Sequence, residues 1–166
     1  MSITAEILHP SVQDALNKYG IVFEPLPCQP ELADTAAFCE HYNIPLEKTG
    51  NSIIAASKTS PPTFACCVVL ANCKLDVNKK VCELLSTKRC SFASADQTLE
   101  LTGMQIGGVT PLGLPDAIAI YIDKQVMSKE KVVLGGGNRS SKILLDPAEL
   151  HKLPNVQVVE NLGIRK

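Results

Sequence analysis

The sequence predicts a single domain of mixed α and β structure, of the α+β class, and three observations support this prediction. The 166 residues amount to one domain of ordinary size, so residues 1–166 are treated as one unit. Hydrophobic residues make up 45% of the chain and charged residues 20%, which allows a sizeable buried core. About seven or eight segments have strand character, and strands often follow strands without a helix between them. That order disfavours a strictly parallel, doubly wound sheet.

Apolar spacing and capping residues predict four helices and one helical turn. Ser11 and Gly20 mark the two ends of the first helix, and Asp34 is the N-cap of the second. Ser94 and Gln97 have the spacing of a capping box, which predicts a further helix start. The predicted helical segments are 10–19, 35–42, 77–85 and 95–102, followed by a turn that begins at Asp146.

Strand propensity predicts the remaining elements, with Pro and Gly clusters between them. In the second predicted strand, alternation places Asn51, Ile53 and Ser57 on one face and Ser52 with Ile54 on the other. The predicted strands are 21–26, 52–57, 64–70, 90–93, 117–122, 132–134, 143–145 and 156–159.

Charge and aromatic content exclude two classes of nucleic-acid binder. The net charge is −1 and the pI is about 6.3, so the chain has no global positive field to hold duplex DNA. With no Trp, three Tyr and four Phe, it also has too few aromatic residues for the stacking platforms of general single-strand binders. Any contact with nucleic acid must therefore be local.

The apolar segments are too short to span a membrane. The longest, Phe64–Ala71, falls far below the roughly 20 residues of a membrane-spanning helix. The first residues also lack the basic and apolar regions of a secretory signal. We therefore expect a cytoplasmic protein with no membrane partner.

The cysteines and histidines do not have the spacing of a metal site. The seven cysteines are an odd number, contain no C-x-x-C pair and mostly lie in apolar segments, which predicts free buried thiols. His9, His41 and His151 are far apart in the chain. We therefore expect no metal site.

Two glycine-rich loops, Gly107–Gly113 and Gly135–Ser141, are the strongest candidates for a site. Glycine lets main-chain N–H groups approach a ligand oxygen closely, although a single such loop is more often only a tight turn. Neither loop matches a dinucleotide or phosphate-binding fingerprint. A serine nucleophile elbow is absent, and capping explains the acids at helix starts.

The loop that contains the G-x-x-x-P pattern Gly107–Pro111 resembles that of the YbaK family, the editing domains associated with prolyl-tRNA synthetase. The resemblance covers nearly the whole chain, from about Asp34 to Leu150. It implies a single mixed α/β domain around a curved, largely antiparallel sheet. It also implies hydrolysis of the ester between a wrong amino acid and the terminal adenosine of tRNA, with no metal or cofactor. Further segments similar to the family are Asp34–Ala36, Ala93–Asp96, Leu101–Gly103, Gly135–Gly137 and Asp146–Leu150.

The resemblance also implies the residues of the site. The G-x-x-x-P loop would hold the aminoacyl carbonyl region through its main-chain N–H groups, and the second glycine loop would form the opposing wall. The expected catalytic residues are Gly108, Thr110 and Asn51, and the expected substrate-binding residues are Gly107, Val109, Pro111, Gly136, Gly137, Asn138, Ser140 and Ser57.

The chain departs from the commoner family pattern at Asn51, where many members have a lysine. A neutral amide orients a substrate or a water but supplies no positive charge. Two hypotheses follow: a deacylase that acts on the amino acid at the tRNA 3′ end, or a non-catalytic module that binds an aminoacyl-adenosine-like group or a protein partner. Neither the amino acid nor the oligomeric state is predicted.

Overall fold

The computed structural model describes residues 7–166, which form five α-helices and ten strands. The helices are α1 (Pro10–Lys18), α2 (Thr35–Tyr42), α3 (Cys82–Leu84), α4 (Ala95–Thr102) and α5 (Lys124–Met127). The strands are β1 (Glu24–Pro27), β2 (Gly50–Ser57), β3 (Phe64–Leu70), β4 (Cys73–Leu75), β5 (Cys90–Phe92), β6 (Ala119–Asp123), β7 (Val132–Gly135), β8 (Ser141–Leu145), β9 (Val156–Val159) and β10 (Gly163–Arg165).

The described strands form three sheets rather than the one sheet of seven or eight strands that we predicted. The largest has the order β5-β2-β3-β6-β9, a second has the order β1-β8-β7, and β10 pairs with β4. Five of the seven described pairings are antiparallel, so the antiparallel majority is confirmed. The five-stranded and three-stranded sheets meet at a parallel bridge between Thr49 and Val133.

The fold class is mixed α and β, as predicted, and the errors lie in the short elements. Three-residue strands such as β4 and β10 are too short to show an alternating pattern. The predicted helix 77–85 is wrong in type, because Val77–Val81 is a π-helical turn that leads into the three-residue α3. The first strand begins at Glu24 rather than at Ile21, since the Ile21 N–H bonds back to Leu16 O at the end of α1.

Two predicted helix caps differ in detail. His9, not Ser11, caps α1, because its Nδ1 accepts a hydrogen bond from the Ser11 N–H and Pro10 occupies the first helical position. Asp34 precedes α2, but its carboxylate makes no capping bond. The capping box of Ser94 and Gln97 at α4 is confirmed.

Both faces of the five-stranded sheet are buried, which explains the unbroken apolar sequence of β3. Cys66 and Val68 pack into one core with α1 and the three-stranded sheet, and Cys67 and Val69 pack into a second core with α3. A third, smaller core lies beneath α2. All seven cysteines are free and buried, as predicted, and burial raises the pKa of the Cys67 thiol to about 12. No helix in residues 7–166 has the length and apolar character needed to cross a membrane.

Removing the capping box should destabilise the domain without changing its fold. The Ser94 hydroxyl accepts from the Gln97 N–H, which is otherwise unpaired in the first turn of α4. Ser94→Ala should lower the free energy of unfolding by about 1 kcal/mol, measured by urea denaturation. Glu100→Ala, at an exposed position of the same helix, is the control and should change it by less than about 0.5 kcal/mol. Equal losses in the two variants would contradict the capping role.

Candidate active site

A cavity of about 470 Å³ lies where the first half of β2 meets α4, the start of α2 and the loop between α4 and β6. It brings together three residues that we predicted for the site, Asn51, Gly107 and Val109. Its size falls in the range of ordinary small-molecule sites.

Three successive carbonyl groups of the predicted site loop are held by hydrogen bonds from other parts of the chain. Two donors come from the second glycine loop, which joins β7 to β8, and the third comes from β8. The three bonds are Arg139 Nη1–H to Ile106 O, Lys142 Nζ–H to Gly107 O and Gly137 N–H to Gly108 O, each 2.7 Å long.

These bonds leave main-chain donors for the cavity. In a planar trans peptide the N–H group points opposite to the C=O group, so a fixed carbonyl also fixes the N–H of the next residue. The Gly108 N–H is used within the turn, where it donates to Gln105 O. The Gly107 and Val109 N–H groups have no acceptor in residues 7–166, and both residues line the cavity. Both groups are therefore candidate donors to a ligand oxygen.

The two glycine loops touch main chain to main chain. A Cβ atom at Gly108 would lie well inside contact distance of the Asn138 main chain, and one at Gly135 would collide with Val109 O. Gly137 has a φ of +90°, a conformation that favours glycine, and its N–H reaches Gly108 O only in this close approach. Glycine is therefore required here for the contact itself.

Asn51 lies at the start of β2, and its side chain is oriented by α2. Its Oδ1 accepts a hydrogen bond of 2.6 Å from the Thr35 hydroxyl, and its amide N–H groups have no acceptor in residues 7–166. The neighbouring Asp34 also lines the cavity, and its carboxylate pairs with the Arg139 guanidinium at 3.0 Å. The amide is thus free to donate to a ligand.

Two hydroxyl groups of cavity-lining residues are buried without a partner in the described chain. Ser52 Oγ and Thr98 Oγ1 have no hydrogen-bond partner, and Thr98 as a whole is only 1% exposed. Buried polar atoms are normally hydrogen-bonded. Both residues border the cavity, so their unpaired hydroxyl groups lie beside it.

The main chain of Ser52 also faces the cavity. The Ser57 N–H donates to Thr63 O across the uninterrupted β2–β3 pairing, so the odd-numbered residues of β2 direct their main chain to β3. The main chain of Ser52 therefore points to the opposite edge. β5 pairs with this opposite edge of β2, and its final bond toward Ser52 joins the Ala93 N–H to Ile54 O. Within residues 7–166 we find no main-chain partner for Ser52 on this edge.

The charges next to the cavity are mostly positive. Lys142 and Arg139 hold the loop from behind, and Lys166 lies on the cavity wall beside a single carboxylate, that of Asp34. Desolvation by burial lowers the pKa of the Lys142 ammonium. Within the described residues, no three His, Cys, Asp or Glu side chains form a group that could hold a metal ion.

Other predicted site residues lie outside this cavity. Pro111 lines a separate cavity beside α1. Ser57 lies at the far end of β2, where its hydroxyl bonds Thr59 and accepts from the Thr63 N–H. Thr110 is fully buried, and its hydroxyl has no partner in residues 7–166.

The second glycine loop stands behind the first loop rather than across the cavity from it. The Gly136 N–H donates to Ser141 O, and the Gly137 N–H is bonded to Gly108 O. The Asn138 side chain donates to Ile7 O and accepts from the Ser140 N–H and the Ser141 hydroxyl. These residues support the site loop without lining the cavity.

Several cavity residues were missing from the sequence prediction. Asp34 and Thr35 belong to a segment similar to the family, but we interpreted Asp34 only as a helix cap. Ser52 and Thr98 gave no signal, because isolated hydroxyl residues in a strand or helix are common. Lys142, which holds the loop from behind, directly precedes the predicted strand 143–145, and no sequence pattern reveals that its amine is buried.

The structure is thus a mixed α/β domain in which a glycine loop with two N–H groups unpaired in residues 7–166 borders a cavity. Residues 29–153 match the family of the aminoacyl-tRNA editing domain. The chain belongs to that family, which confirms the predicted resemblance.

Relatives in sequence and in structure agree with this assignment. The chain is 31% identical to a proline–tRNA ligase of Paraburkholderia phymatum over 107 residues. The aligned region covers 64% of this chain and 18% of the ligase. It is 36% identical to the protein YwhH of Bacillus subtilis over 83 residues, and this aligned region covers 50% of this chain and 52% of YwhH. The chain thus spans about half or less of the length of the curated relatives it matches. A candidate trans-editing enzyme for prolyl tRNA synthetase has the same fold, with a TM-score of 0.79, 21% identity and coverage of 100% of this chain and 99% of that one.

Gly108→Ala should disable the site loop. The new Cβ would meet the Asn138 main chain, so the loop must move and carry the Val109 N–H away from its present direction. If these donors stabilise a transition state, the catalysed rate should fall by about 10²-fold or more. Gly20→Ala is the control, because its Cβ would meet no atom within 4 Å and only the left-handed φ is strained. Wild-type rates in a folded Gly108→Ala protein would contradict the prediction.

Proposed function

We propose that this protein hydrolyses the ester that joins a wrongly attached amino acid to the 3′-terminal adenosine of tRNA. The observation that carries the proposal is the pair of unpartnered N–H groups, at Gly107 and Val109, that border the same cavity. Such main-chain donors suit the oxyanion that forms when water attacks an ester carbonyl. Membership of the editing family agrees with this chemistry at the level of substrate class.

In the proposed reaction the ester carbonyl oxygen accepts from the Gly107 and Val109 N–H groups. A water molecule adds to the carbonyl carbon, and the negative charge of the tetrahedral intermediate develops on the oxygen that these donors bind. The C–O bond to the ribose then breaks and the 3′ oxygen takes up the proton that the attacking water gives up, so that the products are the free amino acid and a tRNA with a 3′ hydroxyl. The Asn51 amide N–H orients the water or the ester.

The amino acid side chain would occupy the part of the cavity bordered by Ser52 and Thr98. Their unpartnered hydroxyls favour a small side chain or one that can hydrogen-bond, because a large apolar group would leave both polar atoms unsatisfied. One methylene changes discrimination by only about 1 to 3 kcal/mol, so several small residues are candidate substrates.

The tRNA would be held locally. A net charge of −1 favours a small contact area around the acylated end rather than an extended one. Lys166, on the cavity wall, is suitably placed for a terminal phosphate.

The alternative is a module that binds an aminoacyl-adenosine-like group without cleaving it. One observation favours it: the cavity presents a neutral amide at Asn51, and its carboxylate, Asp34, is engaged by Arg139. A water in this cavity would therefore lack a free general base.

A turnover assay separates the two functions. The protein should release amino acid from some members of a panel of tRNAs that each carry one small non-cognate amino acid, at rates well above spontaneous hydrolysis. The rate should not change with a chelator. If the protein binds the same aminoacyl-tRNAs at equilibrium but releases no amino acid, even when the enzyme is in excess over the substrate, hydrolysis is rejected and the binding module is favoured.

Asn51 should affect turnover more than stability. Asn51→Ala removes the amide that can donate into the cavity, so the rate should fall by about tenfold or more while the melting temperature stays nearly unchanged. Asn51→Lys installs a cation at the same place and should change the rate or the preferred amino acid. Wild-type kinetics in both variants would remove Asn51 from the site. A large drop in melting temperature with unchanged turnover would make its role structural.

A further inference from the structure

Lys142 is a buried cation whose role the proposed reaction does not explain. It lies in β8 with only 5% of its area exposed, whereas the side chain of Lys152 is 42% exposed and that of Lys124 is 65% exposed. No carboxylate in residues 7–166 lies within ion-pair distance of its amine. The Phe38 ring centroid is 5.3 Å from Nζ. Burying an ammonium without an anion is costly, so its place in the fold calls for a physical explanation.

The amine bonds two carbonyl groups that belong to different walls of the cavity. Nζ donates to Ala33 O at 2.7 Å and to Gly107 O at 2.7 Å. Ala33 directly precedes Asp34 and Thr35, which form the α2 side of the cavity, and Gly107 belongs to the loop side. One ammonium therefore holds the two walls at a set separation.

The same bond holds the peptide plane that lies between the two loop donors. Lys142 fixes the Gly107 carbonyl, and the Gly108 N–H of that same peptide donates to Gln105 O, so this peptide plane is held at both ends. The unpartnered N–H groups of Gly107 and Val109 belong to the peptides on either side of it. Arg139 and Gly137 each hold one of those outer peptides, and Lys142 holds the plane that joins them, so without Lys142 the two donors are no longer kept in one fixed relation.

We propose that Lys142 is a positioning residue that orients the Gly107 and Val109 N–H groups toward the carbonyl oxygen of the ester. It does not touch the substrate, because two main-chain oxygens occupy its amine and it does not line the cavity. Its fixed charge behind the loop also favours negative charge on the far side of those peptides. The inference rests on the proposed hydrolysis for its effect on rate, but the orientation of the loop can be measured without it.

The test compares Lys142→Met with Lys152→Met. Methionine retains most of the side-chain volume and removes both hydrogen bonds and the charge. Lys152 is a matched control, because its amine also bonds a main-chain carbonyl, that of Gly20, far from the cavity. On the tRNA with the highest turnover in the panel, Lys142→Met should lower kcat at least tenfold with KM changed less than threefold, and Lys152→Met should change neither. Lys142→Arg, which retains the charge and several donors, should keep a kcat closer to that of the wild type.

Amide NMR spectra of the free protein give the independent measurement. The Gly107 and Val109 amide signals should shift or broaden in Lys142→Met and stay in place in Lys152→Met. Unchanged signals, or shifted signals with a wild-type kcat, would overturn the positioning role. If the wild type shows no turnover, hydrolysis is rejected, and the amide signals alone decide whether Lys142 orients the loop.

A measurement on the wild type covers the case in which Lys142→Met does not fold. The bond to Gly107 predicts a slowly exchanging Lys142 ammonium signal with a coupling across the hydrogen bond to the Gly107 carbonyl carbon. Detection of that coupling would support the positioning role of Lys142. An ammonium that exchanges freely with water would overturn it.

Discussion

The contact between the two glycine loops is the constraint on which the site depends. The Gly137 N–H meets Gly108 O at 2.7 Å, and the space between the loops admits no Cβ atom at Gly108 or at Gly135. Main-chain packing this close fixes one loop against the other without help from side chains. Because the second loop joins β7 to β8, the three-stranded sheet carries the site loop with it, and the position of the donors is set by the fold rather than by the loop alone.

This contact is one of three that turn the loop carbonyls away from the cavity, and the three differ in chemistry. Gly137 supplies a neutral main-chain donor, Arg139 a partly buried guanidinium that also binds Asp34, and Lys142 a buried ammonium. Charge-assisted bonds are stronger than neutral ones, so Ile106 O and Gly107 O are held more firmly than Gly108 O. The loop thus presents N–H groups to the ligand while its negative ends face cations, an arrangement that suits an anionic transition state.

Sequence reasoning reached the fold class, most element positions and a loop that borders the cavity, and its errors have physical causes. Helix ends with local signals, such as the capping box at Ser94, were predictable because the interaction lies within four residues. The division into three sheets was not, since it depends on contacts as remote as the bridge between Thr49 and Val133. The same limit applies to the site: Gly107 lies in a recognisable motif, whereas the role of Lys142 arises from a bond to a residue 35 positions away.

Local sequence signals nonetheless create the open side of the cavity. β5 ends at Phe92, and Ser94, two residues later, caps α4, so the chain turns into a helix as soon as Ala93 has bonded Ile54 O. Had β5 continued, it would have paired with the edge of β2 at Ser52 and filled the space that the ligand needs. The capping box thus both starts a helix and ends a strand. It leaves the main chain and hydroxyl of Ser52 available, beside Thr98 of the helix that it begins.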